Sequence, residues 1–310
     1  MKLNKCSLTA IVLASMLLSA FSVAADPPPP PPLPSSFYGE ISLAGVSAGE
    51  LIEAFVDSQA VRSAYDEIES IGGKLVYAII VPAYPDGTYP AFVTFKINNK
   101  SVASAPWVSG TSVELNLAKI NISLVAGWNL VSFNVIPIST DIRDVLASIQ
   151  GKYSLVYAWN ASEPDELKQW LKYIPDPGFP FERNSLQALD ERMGFWINMD
   201  EPATLTMNGV YYPKGKTQIQ LKVGSGGWNL VGFPLANDIA LPGALENHGV
   251  DHGDYTVIWR YEAHEADEGD KWKKFYPDPG YPNNDFTALS PGWGYWIYIT
   301  AAEDLVWEVQ

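Results

Sequence analysis

Residues Gly127 to Phe133 read GWNLVSF, and Gly227 to Phe233 read GWNLVGF. A chain that carries one stretch twice is built from units, so this repeat constrains the architecture before any single residue does. The match extends well past the heptapeptide. Gly151-Lys152-Tyr153 answers to Gly253-Asp254-Tyr255, Trp170 to Trp272, and Pro175-Asp176-Pro177-Gly178 to Pro277-Asp278-Pro279-Gly280. Ala188-Leu189 matches Ala288-Leu289, and Gly194-Phe195-Trp196-Ile197 matches Gly294-Tyr295-Trp296-Ile297. The offset moves from 100 to 102 and back to 100, as one small loop insertion and one small deletion would make it. Two homologous domains are expected, at 121–217 and 218–310.

Each copy opens on an apolar strand, Ile122 to Phe133 or Ile219 to Phe233, and continues through strands such as Ser154 to Trp159 and Gly194 to Met199. In the first copy Asp141 to Ile149 places Ile142, Val145, Leu146 and Ile149 on one helical face, with Asp141 as the cap. The second copy has only LPGALENHG there, so a short helix is expected in the first repeat alone. From Phe37 to about Lys119, apolar and polar residues alternate in short bursts split by Gly, Pro, Asn and Asp, the pattern of an antiparallel sandwich. The stretch Ser58 to Ile71 is less regular, a helical turn or a loop. The expected class is therefore all-β: three β-sandwich or β-barrel-like domains in series, the first at 37–120.

The order FYGEISLAG, LIEAFVDSQAV and VTFKINNKSVASAPWVSGTSVELNL resembles the transthyretin-like, carboxypeptidase-regulatory-like and collagen-adhesin B-type sandwiches of secreted proteins. The later pattern is GWNLVSF, a central aromatic strand, Trp followed by a PDPG turn, NSLQAL and GFWINM. It is similar to a family of tandem β domains in secreted and cell-surface proteins of bacteria and archaea. The resemblance implies neighbours that are sandwich, adhesion and anchoring modules, and it implies no particular chemistry.

The start of the chain agrees with export. Lys2 and Lys5 precede the apolar run Leu8 to Val23, and Val23-Ala24-Ala25 before Asp26 reads as a cleavage site, giving a signal peptide at 1–25. No later stretch is apolar for long enough to span a bilayer as a helix, so no membrane span is expected after signal removal. Residues 26–36 form a Pro-rich linker, Asp26 and six prolines leading to Leu33-Pro34-Ser35-Ser36, whose favoured state is a stiff polyproline II spacer. Cys6, the only cysteine, leaves with the signal, so packed cores rather than disulfides must stabilise the mature chain. Prokaryotic export to a periplasm, cell surface or the outside is the expected localisation.

Removing Lys2 and Lys5 leaves 18 Lys plus Arg against 35 Asp plus Glu, a balance of −17. Nucleic acid and anionic lipid are poor partners for such a chain, because both are held by clustered Lys and Arg. No cofactor is called for by any motif. The acidic loop with Glu265, Asp267, Glu268 and Asp270 has the oxygen ligands that calcium takes, although its spacing follows no calcium-loop pattern. His248 and His252 stand four apart, but Gly249 and Gly253 interrupt the helix that would present them to zinc.

Nucleophilic and phosphate-binding motifs are missing: no Ser lies in a nucleophile-elbow context, and GSGG at Gly224 to Gly227 lacks the Lys and helix of a phosphate loop. Carboxylates cluster before the second Trp of each copy (Glu163, Asp165, Glu166; Glu262 to Asp270), yet no opposed pair stands out. Aromatic rings are the strongest remaining signal, because flat apolar faces with a polar handle stack on sugars or on protein. Positions kept in both copies, such as Trp128, Trp228, Trp196 and Trp296, are expected in the cores. The candidate ligand-binding residues are Trp170, Phe179, Phe181, Trp272, Tyr281 and Trp293. These features point to a non-catalytic secreted or cell-surface protein for adhesion, matrix assembly or ligand display, with carbohydrate or a surface or matrix protein as partner. A component of a secreted carbohydrate-active or metal-dependent hydrolase is the alternative. The oligomeric state is not written in the sequence.

Overall fold

The computed structural model describes residues 32–309 apart from 58, 85–89, 212–216, 247 and 282. The expected signal peptide and residues 26–31 of the linker lie outside the described residues. No helix among the described residues is long and apolar enough to cross a membrane. The fold is all-β, as the alternation in the sequence predicts, and one short α-helix interrupts it.

The N-terminal sandwich begins with β1 (Ser35–Ser42), β2 (Leu51–Val56), β3 (Ala64–Glu67), β4 (Glu69–Ile71) and β5 (Lys74–Val81). It continues with β6 (Phe92–Ile97), β7 (Lys100–Pro106), β8 (Ser112–Glu114) and β9 (Asn116–Leu124). Strands β3-β2-β6-β7 make one sheet, and β1, β4, β5, β8 and β9 belong to the other. Within the stretch expected to be a helical turn or a loop, Ala64–Glu67 and Glu69–Ile71 are extended, because β3 and β4 find edges on β2 and β5. Phe37, Ile52, Phe95 and Leu115 fill the core between the sheets, Phe37 and Phe95 meeting edge to face at 5.0 Å. The linker ends earlier than expected: Ser35 and Ser36 already pair with Val81 and Ile80, and Leu33 N–H donates to Ser109 Oγ.

The first repeat comprises β10 (Gly127–Ser132), β11 (Ile136–Pro137), α1 (Ile142–Val145), β12 (Tyr153–Trp159), β13 (Trp170–Tyr173), β14 (Gly194–Met199) and β15 (Ala203–Tyr211). The second comprises β16 (Thr217–Leu221), β17 (Trp228–Val231), β18 (Ile239–Ala240), β19 (Tyr255–Tyr261), β20 (Trp272–Phe275), β21 (Ala288–Leu289), β22 (Tyr295–Ile299) and β23 (Leu305–Val309). Their four-stranded sheets run in equivalent orders, β10-β14-β12-β13 and β17-β22-β19-β20. Each sheet packs its inner face on a two-strand partner, β9 with β15 or β16 with β23.

The long opening strand expected in each copy is two strands in different sheets. Asn129 makes the corner: its Oδ1 accepts Val125 N–H, and its Nδ2 donates to the carbonyls of Val125 and Gly127. Asn229 repeats this with Lys222 and Gly227. Both side chains are buried, so these bonds satisfy amides that would otherwise be stranded. Helix α1 is capped by Asp141, which accepts Arg143 N–H, and Ile142, Val145, Leu146 and Ile149 enter the core as the periodicity predicts.

Strand β9 spans the boundary expected at 120. Its Leu117 lies beside β1 and joins the sandwich core, while Ile120, Ile122 and Leu124 serve the first repeat. One continuous sheet therefore carries the sandwich into the repeats, and residues 32–310 form one compact unit.

Candidate ligand-binding cleft between the repeats

Alternation along the central strands decides which rings face the core. In β14, Phe195, Ile197 and Met199 point inward, so Trp196 points outward; in β22, Tyr295 and Ile297 are inside, so Trp296 and Tyr298 are outside. Cross-strand register gathers the outward rings: Trp128 lies opposite Asn198, Leu130 opposite Trp196, Tyr157 opposite Trp196, and Trp159 opposite Trp170. The second repeat reproduces the set with Trp228, Leu230, Trp259, Tyr261, Trp272 and Trp296. This corrects the expectation that Trp128, Trp228, Trp196 and Trp296 belong to the cores. Trp128 is 38% exposed, and the other three are half-buried on the outer sheet faces.

The two outer faces meet each other, and the ring contacts and backbone bridges come in reciprocal pairs. Trp196 packs on Tyr261 at 5.0 Å and on Trp272 at 5.7 Å; Trp296 packs on Trp159 at 5.5 Å and on Trp170 at 5.8 Å. Val131 bridges to Trp293, and Val231 bridges to Met193. Ser132 N–H donates to the Gly292 carbonyl, and Gly232 N–H donates to the Arg192 carbonyl. Contacts paired in this way define an isologous interface, so a pseudo-twofold axis relates the repeats within one chain. Leu130, Leu230 and Tyr261 are buried at its centre.

The single difference between the heptapeptides sits on this seam. Ser132 Oγ donates to the Trp293 carbonyl at 2.7 Å and accepts Phe233 N–H at 3.2 Å, so the hydroxyl ties the repeats together. Position 232 admits only glycine, because a Cβ there would stand 2.4 Å from the Glu191 carbonyl oxygen. The backbones also approach closely across the seam: a Cβ on Gly194 of β14 would lie 2.6 Å from the Val231 oxygen of β17, and one on Gly294 2.9 Å from the Val131 oxygen of β10.

Around the seam the rings leave open space. One cleft of about 780 Å³ is lined by Trp228, Trp259, Trp272 and Trp296 of the second repeat, and by Trp159, Glu166, Gln169, Trp170 and Trp196 of the first. A second mouth of about 480 Å³ is lined by Trp128, Tyr157, Trp170 and Trp196. The four rings of this second mouth are the counterparts of Trp228, Trp259, Trp272 and Trp296, so an aromatic bowl is present twice. Trp170 and Trp196 line both mouths. Polar groups are few. Trp159 Nε1–H donates to the Trp228 carbonyl, Gln169 Nε2–H donates to the Glu163 carbonyl, and the buried Trp259 Nε1–H has no partner among the described residues. Glu166 is the one carboxylate lining either mouth among the described residues. Such walls offer π-faces, which suits flat ligands with an apolar face.

Of the sequence candidates, Trp170 and Trp272 lie in the cleft and the other four do not. Phe181 packs on Tyr173 beneath the Arg143 guanidinium, 3.9 Å from its ring centroid. Phe179 is half-buried beside the PDPG turn, and Tyr281 is 57% exposed and stacks on Tyr276 at 4.7 Å. Trp293 is half-buried on the flank of the seam, where Arg260 lies over its ring. Sequence reasoning assigned Trp128, Trp196, Trp228 and Trp296 to the cores because both copies keep them, and did not single out Tyr157, Trp159 and Trp259 as ligand-binding candidates. The alternation itself is the signal that could have found them.

The acidic loop is engaged internally. Asp267 accepts Gly269 N–H, Glu268 pairs with Lys271, and Glu265 pairs with Lys273 at 3.5 Å, while Asp270 is exposed. No three His, Cys, Asp or Glu side chains converge as a metal site among the described residues. His252 pairs with Glu246 at 3.4 Å in a turn, and no helix presents it with His248. Neither a family model nor a curated protein nor a solved structure matches the chain.

Proposed function

We propose that the chain is a non-catalytic exported protein for adhesion or matrix assembly that binds carbohydrate in the tryptophan cleft. The observation that carries this reading is the bowl of four aromatic rings formed twice at the junction of the repeats. Indole faces stack on the C–H faces of sugar rings. A repeat seam that leaves this many large rings half-exposed forgoes burial that a purely structural interface would complete. Net negative charge argues for a neutral glycan rather than an anionic one. The lone carboxylate in the cleft favours binding over hydrolysis, since hydrolysis by an acid pair needs two carboxyls about 5–10 Å apart across the sugar.

The test is affinity electrophoresis and tryptophan fluorescence of the mature chain against a panel of neutral polysaccharides, with and without calcium. Retardation by at least one glycan is expected, weakened about tenfold or more by Trp170→Ala and by Trp272→Ala, because each removes a stacking face worth about 1.4 kcal/mol. Absence of retardation across the panel would overturn the reading. New reducing ends released from any glycan would favour the hydrolase alternative.

A further inference from the structure

The two bowls are related by a twofold operation, and a glycan chain is not twofold symmetric. Its reducing and non-reducing ends differ, so every residue along it points one way. A translational repeat would offer successive bowls to one chain in the same sense. Here the reciprocal contacts across the seam, Trp196 with Trp272 and Trp296 with Trp170, make the relation a twofold, which reverses any chain lying across its axis. A chain seated well in the Trp128, Tyr157, Trp170, Trp196 bowl would meet the Trp228, Trp259, Trp272, Trp296 bowl running backwards. Trp170 and Trp196 line both mouths, so the two bowls adjoin at these rings.

We propose that each mouth holds its own glycan chain and that the two chains run in opposite directions, making one protein molecule a cross-link between polysaccharide strands. This rests on the carbohydrate reading of the cleft and adds stoichiometry, polarity and consequence to it. The mouths are equivalent in design but not in strength. The larger one gains Trp159, Glu166 and Gln169 from the facing repeat, whereas the smaller is walled by its four rings alone. Filling is therefore stepwise, the larger mouth first. Two sites in one compact unit also give avidity on a dense glycan surface without any second protein molecule.

The probes are cellohexaose as a short, flat β-linked ligand and hydroxyethylcellulose as a long neutral one, used with the full mature chain. Calorimetry is expected to give two cellohexaose molecules per chain with unequal affinities. Light scattering is expected to show networks with hydroxyethylcellulose that dissolve when protein or excess cellohexaose saturates the strands. Trp128→Ala touches only the smaller mouth and Trp259→Ala only the larger, so each variant should keep one cellohexaose and lose the networks. A nitroxide at the reducing end of cellohexaose should broaden equivalent indole signals in both mouths, Trp128 together with Trp228 or Trp170 together with Trp272.

One cellohexaose per chain, lost on altering either mouth, overturns the proposal while leaving the carbohydrate reading intact. Broadening of Trp128 without Trp228 overturns the opposed polarity. No binding of either probe by a protein with native circular dichroism overturns the proposal on these glycans, and the polysaccharide panel then decides the broader reading separately.

Discussion

Making the two heptapeptides identical is the most direct perturbation of the repeat seam. In Gly232→Ser the new Cβ falls 2.4 Å from the Glu191 carbonyl oxygen and 3.0 Å from that of Met193. Both obstacles are backbone, so no side chain can rotate away and the seam must open. Overpacking of this kind costs about 1–3 kcal/mol, and displacing the Gly232 N–H from the Arg192 carbonyl costs about 1 kcal/mol more. A total of roughly 2–4 kcal/mol is a large part of the stability of an ordinary domain. The reverse change, Ser132→Gly, removes a hydroxyl with two partners and strands the buried Phe233 N–H. Its expected cost is about 1–3 kcal/mol, with no clash. Urea unfolding followed by far-ultraviolet circular dichroism gives the free energies, and tryptophan fluorescence reports the seam, where the rings lie. Gly232→Ser should also weaken ligand binding, since the larger mouth takes walls from both repeats. A Gly232→Ser protein within about 0.5 kcal/mol of the parent, or one less harmed than Ser132→Gly, would refute the isologous seam.

Four further outcomes are expected. Asn129→Ala and Asn229→Ala each delete three hydrogen bonds at a buried corner and should each cost about 2–4 kcal/mol by urea unfolding. Asp141→Ala removes the α1 cap and its ion pair with Arg143, a loss of about 1 kcal/mol that should appear as faster amide exchange over 142–149. Burial raises the Glu191 carboxyl above the ordinary glutamate range, so its contribution favours the fold below the unfolded value and is lost as pH rises through the folded one. Glu191→Gln should therefore stabilise the chain at neutral pH and flatten that part of a stability-against-pH curve. Asp304 behaves oppositely: the Lys222 ammonium and the Val223 amide hold it below the usual range, so its contribution is present at neutral pH and lost on acidification, and Asp304→Asn should remove that acid-side loss.

Why was the fold legible in the sequence and the cleft only half so? Period-two alternation marks a strand whatever its surroundings, and β12 and β14 stand where it places them. Helix α1 has its cap and apolar face in nine consecutive residues, so it too can be read locally. Corners are harder: Asn129 joins two sheets by bonding four residues back along the chain, and an unbroken apolar run hides that turn. The cleft is harder still, because alternation says that Trp196 and Phe195 face opposite ways without saying what covers each side. Two large apolar faces on one sheet look like a doubly buried strand when one domain is considered alone. In a duplicated chain there is another way to keep an aromatic in both copies, which is for the copies to face each other. Residues on a pseudo-twofold seam are constrained twice, once by their own sheet and once by their counterpart's, and Leu130, Trp196, Gly194 and Val131 all answer to residues of the second repeat. Repetition of GWNLV therefore signals more than the two separate cores to which Val131 and Val231 belong. It marks the strand along which two half-covered sheets become one cleft, and the Ser132 and Gly232 difference marks where its symmetry breaks.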